Sequence, residues 1–202
     1  MAVSIFHHPQ NCLLTVIAGH ESGHTVVSQL TSSDTWETLY TAQAHTQPIL
    51  SLDVSQSKEF YFTSSADAII AKHPVPISIE NAIMAVESMP LKILQTKHSG
   101  QQGLRIRNDG KIFATAGWDS KVRVYGTKGM KELAVLKWHK EGCYSVAFAA
   151  IVEEKIETRE EISLVERIGT MTVQEQRTWK AKTTHWLAAG SKDGKVSLWD
   201  IY

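Results

Sequence analysis

An internal repeat is the feature that most restricts how this 202-residue chain can fold. Two late segments, IFATAGWDSKVRVY (112–125) and WLAAGSKDGKVSLWD (186–200), share one order of residue types. Each has an apolar run, small residues, a turn containing Asp119 or Asp193, and a second run of alternating apolar residues. This order predicts a strand, a tight turn and another strand.

A third and weaker copy, FTSSADAIIAKH, places Asp67 in the turn. Upstream histidines keep a nearly constant distance, because His45 precedes Asp67 by 22 residues and His98 precedes Asp119 by 21. The three turns are 52 and 74 residues apart, and the second spacing falls to about 41 without an insertion of about 33 residues. Units of about 40–45 residues with four strands and a Trp-Asp ending are typical of WD-repeat propeller blades.

We therefore predict an all-β chain, a WD40-type β-propeller region of about four blades that forms a single unit over residues 1–202. The predicted blades cover residues 1–35, 36–85, 86–130 and 131–202, with a charged insertion at 151–183. Blade 1 is predicted to be partial, because counting back 21 residues from Ser22 reaches Met1 and leaves out the leading strand and its histidine. Four blades are fewer than most closed propellers use, so we expect a part of a longer propeller.

Polar residues recur at fixed places in these repeats. A His before the first strand of a unit, a Ser or Thr in the second, an Asp in the turn and an aromatic residue in the third can form a buried hydrogen-bonded chain. The predicted members are His45, Thr63 and Asp67, with His73 at the aromatic position; His98, Thr115, Asp119 and Tyr125; and His139, Asp193 and Trp199, where Ala189 replaces the hydroxyl. We predict that they are architectural and not catalytic, although His, Asp and Thr together resemble a catalytic triad.

The stretch AGHESGHTVV (18–27) has the H-E-x-x-H spacing of zinc proteases, with His20 and His24 as the candidate ligands. Such a motif binds zinc on a helix, where residues four apart share one face. Aligning Gly23 with Gly194 makes the stretch a hairpin turn instead, and the preceding LLTVIAG is strand-like. We therefore predict no metal site, no catalytic residue and no cofactor.

Composition argues against several classes of function. The formal net charge is zero, with 21 Lys and Arg against 21 Asp and Glu, so no global basic field attracts nucleic acid or membranes. Cys12 and Cys143 are too few for a disulfide framework, and no run of 18 apolar residues occurs. We expect a soluble intracellular protein without direct nucleic-acid contacts, membrane attachment or a small-molecule substrate.

Several segments are specific enough to suggest a family. ATAGWDSKVRVY, MKELAVLKWH, SVAF, HWLAAGSKDGKVSLWDIY and AGHESGHTVVSQL resemble the fungal ASTRA-associated WD-repeat family and its animal counterpart, a G-protein beta-subunit-like WD protein. The similarity extends through most of residues 13–202, except parts of 74–92 and the insertion. It implies the C-terminal part of a seven-bladed, non-enzymatic propeller in the nucleus, and also in the cytoplasm. It further implies membership of the ASTRA assembly linked to chromatin remodelling, and association with the Tel2–Tti1–Tti2 chaperone scaffold that supports maturation of phosphatidylinositol-3-kinase-related kinases.

A partner surface is predicted on the face where the Asp-bearing turns and the histidine loops open. The candidate contacts are Trp118, Lys121, Lys192 and Glu21. Trp118 is either a partly exposed anchor for a partner, since interface hot spots favour Trp, or a residue packed against its neighbouring blade. The insertion is either a solvated loop or an arm that folds on a partner. Farther upstream, LKILQT is predicted to be the outer strand of a blade.

Other functions stay open at this point. A histone or peptide reader would need an acidic or aromatic pocket around the central channel. A G-protein beta role would want an N-terminal coiled-coil helix, and a metalloenzyme would need stoichiometric zinc. A non-catalytic interaction scaffold is the function that the sequence favours.

Overall fold

The computed structural model describes residues 2–77, 89–150 and 172–201. Within these ranges the chain forms fifteen strands and one helix. The elements are β1 (Ala2–His7), β2 (Leu14–Gly19), β3 (His24–Leu30), β4 (Trp36–Gln43), β5 (Ile49–Val54), β6 (Phe60–Ser65), β7 (Ile69–Pro74), β8 (Lys92–Gln95), β9 (Gln101–Ile106), β10 (Ile112–Gly117), β11 (Lys121–Gly126), β12 (Glu132–Lys137), β13 (Cys143–Phe148), α1 (Val173–Thr183), β14 (Trp186–Ser191) and β15 (Val196–Asp200).

The strands form four antiparallel sheets in chain order. The first three sheets contain β1 to β4, β5 to β8 and β9 to β12, and the fourth contains β13 to β15. Each strand pairs with the next one in sequence, so every sheet is an up-and-down meander. The predicted all-β architecture of about four blades is confirmed.

Hydrophobic alternation explains the strands. In β2 and β3, buried and part-buried residues alternate along LTVIAG and HTVVSQL, and β-branched residues fill six of the thirteen positions. Gly23 turns the chain between these strands at φ 81°, and the His20 amide donates to the His24 carbonyl. The H-E-x-x-H stretch is therefore a hairpin, as predicted, and not a helix.

The sheets are offset by one strand from the predicted repeat units. The predicted boundaries at 36, 86 and 131 fall before β4, β8 and β12, and each of these strands completes the preceding sheet. The sheets therefore span residues 2–43, 49–95, 101–137 and 143–200.

The offset also corrects the expectation of a partial first blade. β1 pairs along the whole of β2, from Ala2 opposite Gly19 to His7 opposite Leu14, so the first sheet has four strands. The expected leading strand and its histidine correspond to the last strand of a preceding sheet and to the loop after it, and not to a strand of this sheet. In this fold the histidine lies in the loop between two sheets, because the strand before it is the last strand of the earlier sheet.

Two other predicted segments are partly described. β8 covers most of LKILQT and is the outermost strand of the second sheet, as predicted. The insertion lies between β13 and β14, and its residues 151–171 are outside the described residues. Its last part forms α1, whose described side chains from Val173 to Trp179 are exposed.

The hydrophobic core lies between the sheets and not within any one of them. Three clusters join successive pairs of sheets, and each cluster combines side chains from both members of its pair. Representative pairs are Tyr40 with Tyr61, Phe62 with Phe113 at a ring-centroid distance of 4.3 Å, and Val124 with Leu187. Burying apolar area at about 25 cal/mol per Å² stabilises only the stacked arrangement, since a lone sheet would expose these faces.

The first strands of the four sheets lie next to one another. β9 packs against both β5 and β13, and β5 packs against β1. Polar side chains of β5 reinforce this contact, because the Ser51 hydroxyl accepts from the Leu104 amide at 3.1 Å and Asp53 Oδ2 accepts from the Ile106 amide at 2.7 Å. These strands are therefore the inner wall of the array.

The outer faces of the first and last sheets are apolar and exposed in this chain. Val3 and Ile5 point outward from β1, and Val196 and Leu198 point outward from β15. Leu198 lies opposite Ala188 on the same face, so the exposed surface continues across strands.

Alanine substitutions at two glycines test how closely the first two sheets approach. Both Gly23 and Gly194 have positive φ, but a Cβ at Gly23 would collide with the His45 carbonyl, whereas nothing lies within 4 Å at Gly194. We expect Gly194→Ala to cost about 1 kcal/mol from backbone strain alone. Gly23→Ala should cost about 2–4 kcal/mol, because the sheets must also separate. Urea unfolding of both variants measures the difference, and equal losses would show that the sheets are not held this closely.

Candidate protein-interaction surface

The second sheet carries a complete buried polar chain. His45 Nδ1 lies 3.2 Å from Asp67 Oδ1, and its Nε2 lies 2.8 Å from Thr63 Oγ1. Thr63 Oγ1 is in turn 2.9 Å from His73 Nε2, and His73 Nδ1 is 2.8 Å from the Tyr40 hydroxyl. The structure thus brings together the residues that the repeat aligned. The sequence did not reveal Tyr40, which extends the chain into the first sheet.

The hydrogens of this chain can all point one way. Tyr40 donates to His73, His73 to Thr63, Thr63 to His45 and His45 to Asp67, provided that both imidazoles are neutral. Burial favours that state: it lowers the pKa of His45, against the opposing effect of Asp67, and it lowers the pKa of His73 to about 3. A chain in which every donor has an acceptor fixes one arrangement of the two sheets.

The third sheet departs from the predicted chain. Thr115 donates to Gln101 Oε1 at 2.6 Å, and Asp119 accepts two hydrogen bonds from Arg123, at 3.1 and 2.6 Å. His98 stays 40% exposed, with its Nδ1 3.8 Å from Asp119 Oδ2. Gln101 therefore bonds the Thr115 hydroxyl, which the repeat had paired with His98. Asp119 binds Arg123 and not His98, because a planar guanidinium binds a carboxylate through two strong hydrogen bonds.

The remaining predicted member of this chain, Tyr125, stacks on Phe113 at a centroid distance of 5.1 Å. Burial alone would raise the pKa of Asp119, but hydrogen bonds and charge from Arg123 outweigh it and hold that pKa below its ordinary value. The third sheet is therefore locked by an ion pair where the second is locked by histidines.

The fourth sheet also departs from the predicted hydrogen-bonded chain around its loop histidine. His139 Nε2 lies 2.8 Å from Ser197 Oγ, and the Trp199 indole donates to the same hydroxyl at 2.9 Å. Ser197 lies directly opposite Ala189 in the β-ladder, so the hydroxyl that Ala189 lacks comes from the facing strand. Asp193 does not reach His139, because it binds the backbone amide and ammonium of the lysine two residues later.

The hairpin turns and the loops between sheets meet at one end of the array, as the sequence predicted. A backbone hydrogen bond recurs there, from the turn residue before each aspartate to the loop before the sheet. The bonds are Ala66 to Pro48 at 3.2 Å, Trp118 to Gly100 at 3.0 Å and Lys192 to Gly142 at 2.9 Å. Asp67, Asp119 and Asp193 therefore occupy equivalent turns, and we call this end of the molecule the turn face.

Trp118 is the main aromatic residue of the turn face that the sequence singled out. Its side chain is 46% exposed, and its indole donates to Gln102 Oε1 at 3.0 Å. The other side of the ring lies on Gly100, where a Cβ would collide with it. Both predicted alternatives hold in part, since the ring packs on its own sheet's loop and still presents one side to solvent. An aromatic ring fixed in this way loses little entropy when it binds a partner.

The other predicted contacts divide into two groups. Lys121 lies in the same turn as Trp118, with its Nζ 3.6 Å from Asp119 Oδ2. The exposed Lys192 donates its backbone amide to the Gly142 carbonyl, in the loop between the third and fourth sheets. The Trp118 backbone also contacts Gly142, so these residues surround one point. Glu21 is exposed in the first sheet's turn, two sheets away.

Two aromatic residues at this end were not predicted from the sequence. Trp138 is 54% exposed and directly follows Lys137, which pairs with Lys121 in the ladder. Tyr144 is also exposed, at the start of β13. An aromatic residue before a loop histidine was the available signal for Trp138. Together with Trp118 they make the turn face of the third and fourth sheets aromatic and basic.

Neither a metal-ligand cluster nor a membrane-spanning helix occurs among the described residues. In that part of the chain, no three His, Cys, Asp or Glu side chains come together as a metal ion would require. No helix there has the length and apolarity needed to cross a membrane.

The repeats match a known family. Residues 36–71, 89–126 and 181–200 match the family described as "WD domain, G-beta repeat". The whole chain also superposes on 90% of the crystal structure of the computationally designed Ika4 protein, with a TM-score of 0.65 and 14% identity, which supports the overall fold alone. The four meander sheets and these repeats define a WD-repeat propeller protein.

Similarity over most or all of this chain then narrows the family. ASTRA-associated protein 1 of Verticillium alfalfae is 51% identical over 100% of this chain and 50% of its own length. The proteins of that name from Aspergillus niger and Schizosaccharomyces pombe are 55% and 36% identical, over 83% and 92% of this chain and 42% and 43% of their own lengths. The chain belongs to the ASTRA-associated protein 1 family, as the sequence resemblance indicated, and spans about half the length of these relatives.

The buried histidines predict a pH dependence of stability. The pKa of His73 in the folded protein is about 3, below its ordinary value of 6.5, so the unfolded chain binds a proton that the folded chain does not. This contribution is complete above about pH 6.5 and is lost as the pH falls toward 3. We expect the free energy of unfolding to drop by about 1 kcal/mol per pH unit between pH 6 and 4.

Urea unfolding at several pH values measures this slope. His73→Gln should flatten it, whereas His20→Gln, at an exposed turn histidine, should not. A slope in the His73→Gln variant equal to that of the unmodified protein would show that His73 is not the group responsible.

Proposed function

We propose that this chain is part of a non-catalytic WD-repeat scaffold of the ASTRA complex, and that its turn face binds a protein subunit. The observation that carries the proposal is the half-exposed Trp118, held by Gln102 and Gly100 beside Lys121 and Lys192. A rigid aromatic side chain beside long polar ones is the usual composition of an interface hot spot. The name shared by the relatives supports the choice of complex.

The finer assignment follows the family resemblance. We propose that the full protein acts in the nucleus, and also in the cytoplasm, in an assembly linked to chromatin remodelling. We further propose that it works with the Tel2–Tti1–Tti2 scaffold in the maturation of phosphatidylinositol-3-kinase-related kinases. A scaffold role agrees with the use of His45 and His73, whose ring nitrogens are committed to internal hydrogen bonds and are buried.

The exposed outer sheet faces fit a longer propeller. Val3 and Ile5 at one end of the array and Val196 and Leu198 at the other are apolar, and the chain spans about half of its relatives. We propose that further blades of the full protein pack on these faces and bring the total to seven.

A histone or peptide reader is the second candidate, and one observation speaks for it. Trp118, Trp138 and Tyr144 are exposed at the same end of neighbouring sheets. A reader of methylated lysine would surround a cation with such rings. Lys121 and Lys192 at that end repel a cation, so the charge favours the scaffold role.

Substitution of Trp118 in the full-length protein tests the proposal. We expect Trp118→Ala to reduce recovery of ASTRA subunits in affinity purification by about tenfold or more, because truncating a central interface Trp typically costs about 2 kcal/mol or more. Trp36→Ala is the matched control, since Trp36 is 53% exposed on the outermost strand of its sheet. Quantitative mass spectrometry measures the ASTRA and Tel2–Tti1–Tti2 subunits separately.

Thermal unfolding of both variants should stay within a few degrees of the unmodified protein, because neither side chain belongs to a core cluster. Undiminished recovery of every subunit with Trp118→Ala would refute the turn face as the binding surface. Loss of ASTRA subunits alone would support the complex and refute the Tel2–Tti1–Tti2 association through this face.

A further inference from the structure

A cavity of about 390 Å³ lies at the end of the array opposite the turn face. Trp118 follows Gly117, which pairs with Gln101 at the start of β9, whereas the cavity is lined by Ile106 at the end of β9. The last residues of β5 and β13 and the turn after β5 complete the wall. The cavity therefore opens where three inner strands end together.

Two cationic side chains of this cavity, Arg105 and Lys58, form no ion pair within 4 Å among the described residues, although the Asp53 carboxylate attracts both at longer range. Arg105 is exposed and donates from Nη1 to the carbonyl of its neighbour Leu104 at 2.7 Å, which leaves its other N–H groups free of protein acceptors in the described part of the chain. Lys58 lies in the turn after β5, with its Nζ 4.9 Å from the Phe6 ring centroid. Both act as donors that a ligand can use.

The other charged groups of the cavity are bonded within the protein, except that Arg107 Nη1 has no hydrogen-bond partner among the described residues. Arg107 is buried and forms two hydrogen bonds to Asp109, at 3.0 and 2.6 Å. Asp53 accepts from the Val54 and Ile106 amides, and burial raises its pKa above the ordinary value despite those bonds. Lys58, Arg105 and Arg107 against Asp53 and Asp109 leave one net positive charge at this opening.

The rest of the wall is apolar. Val54, Ile106 and Phe148 line the cavity beside the cations. A single excess positive charge, two free donors and an aliphatic wall suit a carboxylate side chain with an aliphatic neighbour. A polyphosphate carries more negative charge than this opening can neutralise, and Asp53 and Asp109 would repel it.

We propose that this cavity binds an acidic segment of a protein partner, with an Asp or Glu carboxylate between Arg105 and Lys58 and an aliphatic side chain against Ile106 and Phe148. The proposal deepens the proposed function, because it names the chemistry of a partner, but it uses a surface separate from Trp118. The scaffold would then hold one partner at each end of its inner wall.

A binding assay on the purified full-length protein tests the site. The probe is a fluorescein-labelled peptide, Gly-Ser-Leu-Glu-Glu-Leu-Gly-Ser, and the readout is fluorescence anisotropy at low ionic strength. We expect binding that weakens with added salt and that drops about fivefold in Arg105→Ala and in Lys58→Ala. Asp53→Asn removes the negative charge and should tighten binding, while circular dichroism verifies its fold.

Matched controls isolate the charge and the site. A peptide with Gln in place of both Glu should bind about fivefold more weakly, and Lys137→Ala, at an exposed lysine on the turn face, should bind the original peptide unchanged. Unchanged binding by Arg105→Ala and Lys58→Ala, absence of binding at millimolar peptide, or tighter binding of tripolyphosphate than of the peptide would each overturn the proposal. Trp118→Ala should bind this peptide normally, so failure of the turn-face assignment is distinguishable from failure of the cavity.

Discussion

The packing of each sheet against the next is the interaction on which this structure depends. None of the three core clusters belongs to one sheet, so a single meander would expose nearly all of its apolar side chains. Polar groups follow the same rule, since Tyr40 completes the chain of the second sheet from the first, and Asp53 bonds the backbone of the third sheet from the second. The contact distances are short enough that positions such as Gly23 tolerate no side chain.

The sequence predicted those features that are encoded by local periodicity. Alternating apolar residues, an Asp turn and a fixed spacing were sufficient for the hairpins, for the outer strand β8 and for rejecting a zinc helix at His20 and His24. The sheet boundaries were displaced by one strand, because the predicted units began before the strand that precedes each loop histidine, and that strand is the last one of the earlier sheet. Sequence spacing alone does not say which sheet that strand joins.

The partners of the polar residues were harder to predict, for a different reason. Whether Asp119 binds His98 or Arg123 depends on which donor reaches it across the ladder, and on the greater strength of a bidentate ion pair. Gln101 was overlooked because it lies three residues after the histidine whose place it takes. The support of Trp118 by Gly100 was likewise invisible, since it arises between a turn and a loop that meet only when the sheet has formed.

The two ends of the inner wall differ in chemistry, although the same strands run between them. Aromatic rings and lysines dominate the turn face, whereas the opposite opening holds free cationic groups next to an aliphatic wall. Because the strands are rigid and short, a partner at one end has little means of disturbing the other. Such a molecule is suited to holding two partners at a set separation.

Ser197 shows how a blade can lack the hydroxyl residue of its second strand and still keep the buried hydrogen bond to its histidine. The hydroxyl that His139 bonds belongs to Ser197, the residue facing Ala189 in the ladder. The requirement at such a site is a hydroxyl oxygen within hydrogen-bond reach of the histidine, and either member of the facing pair can provide it. Divergent blades can therefore drift far apart in sequence as long as each lost group reappears on the neighbouring strand.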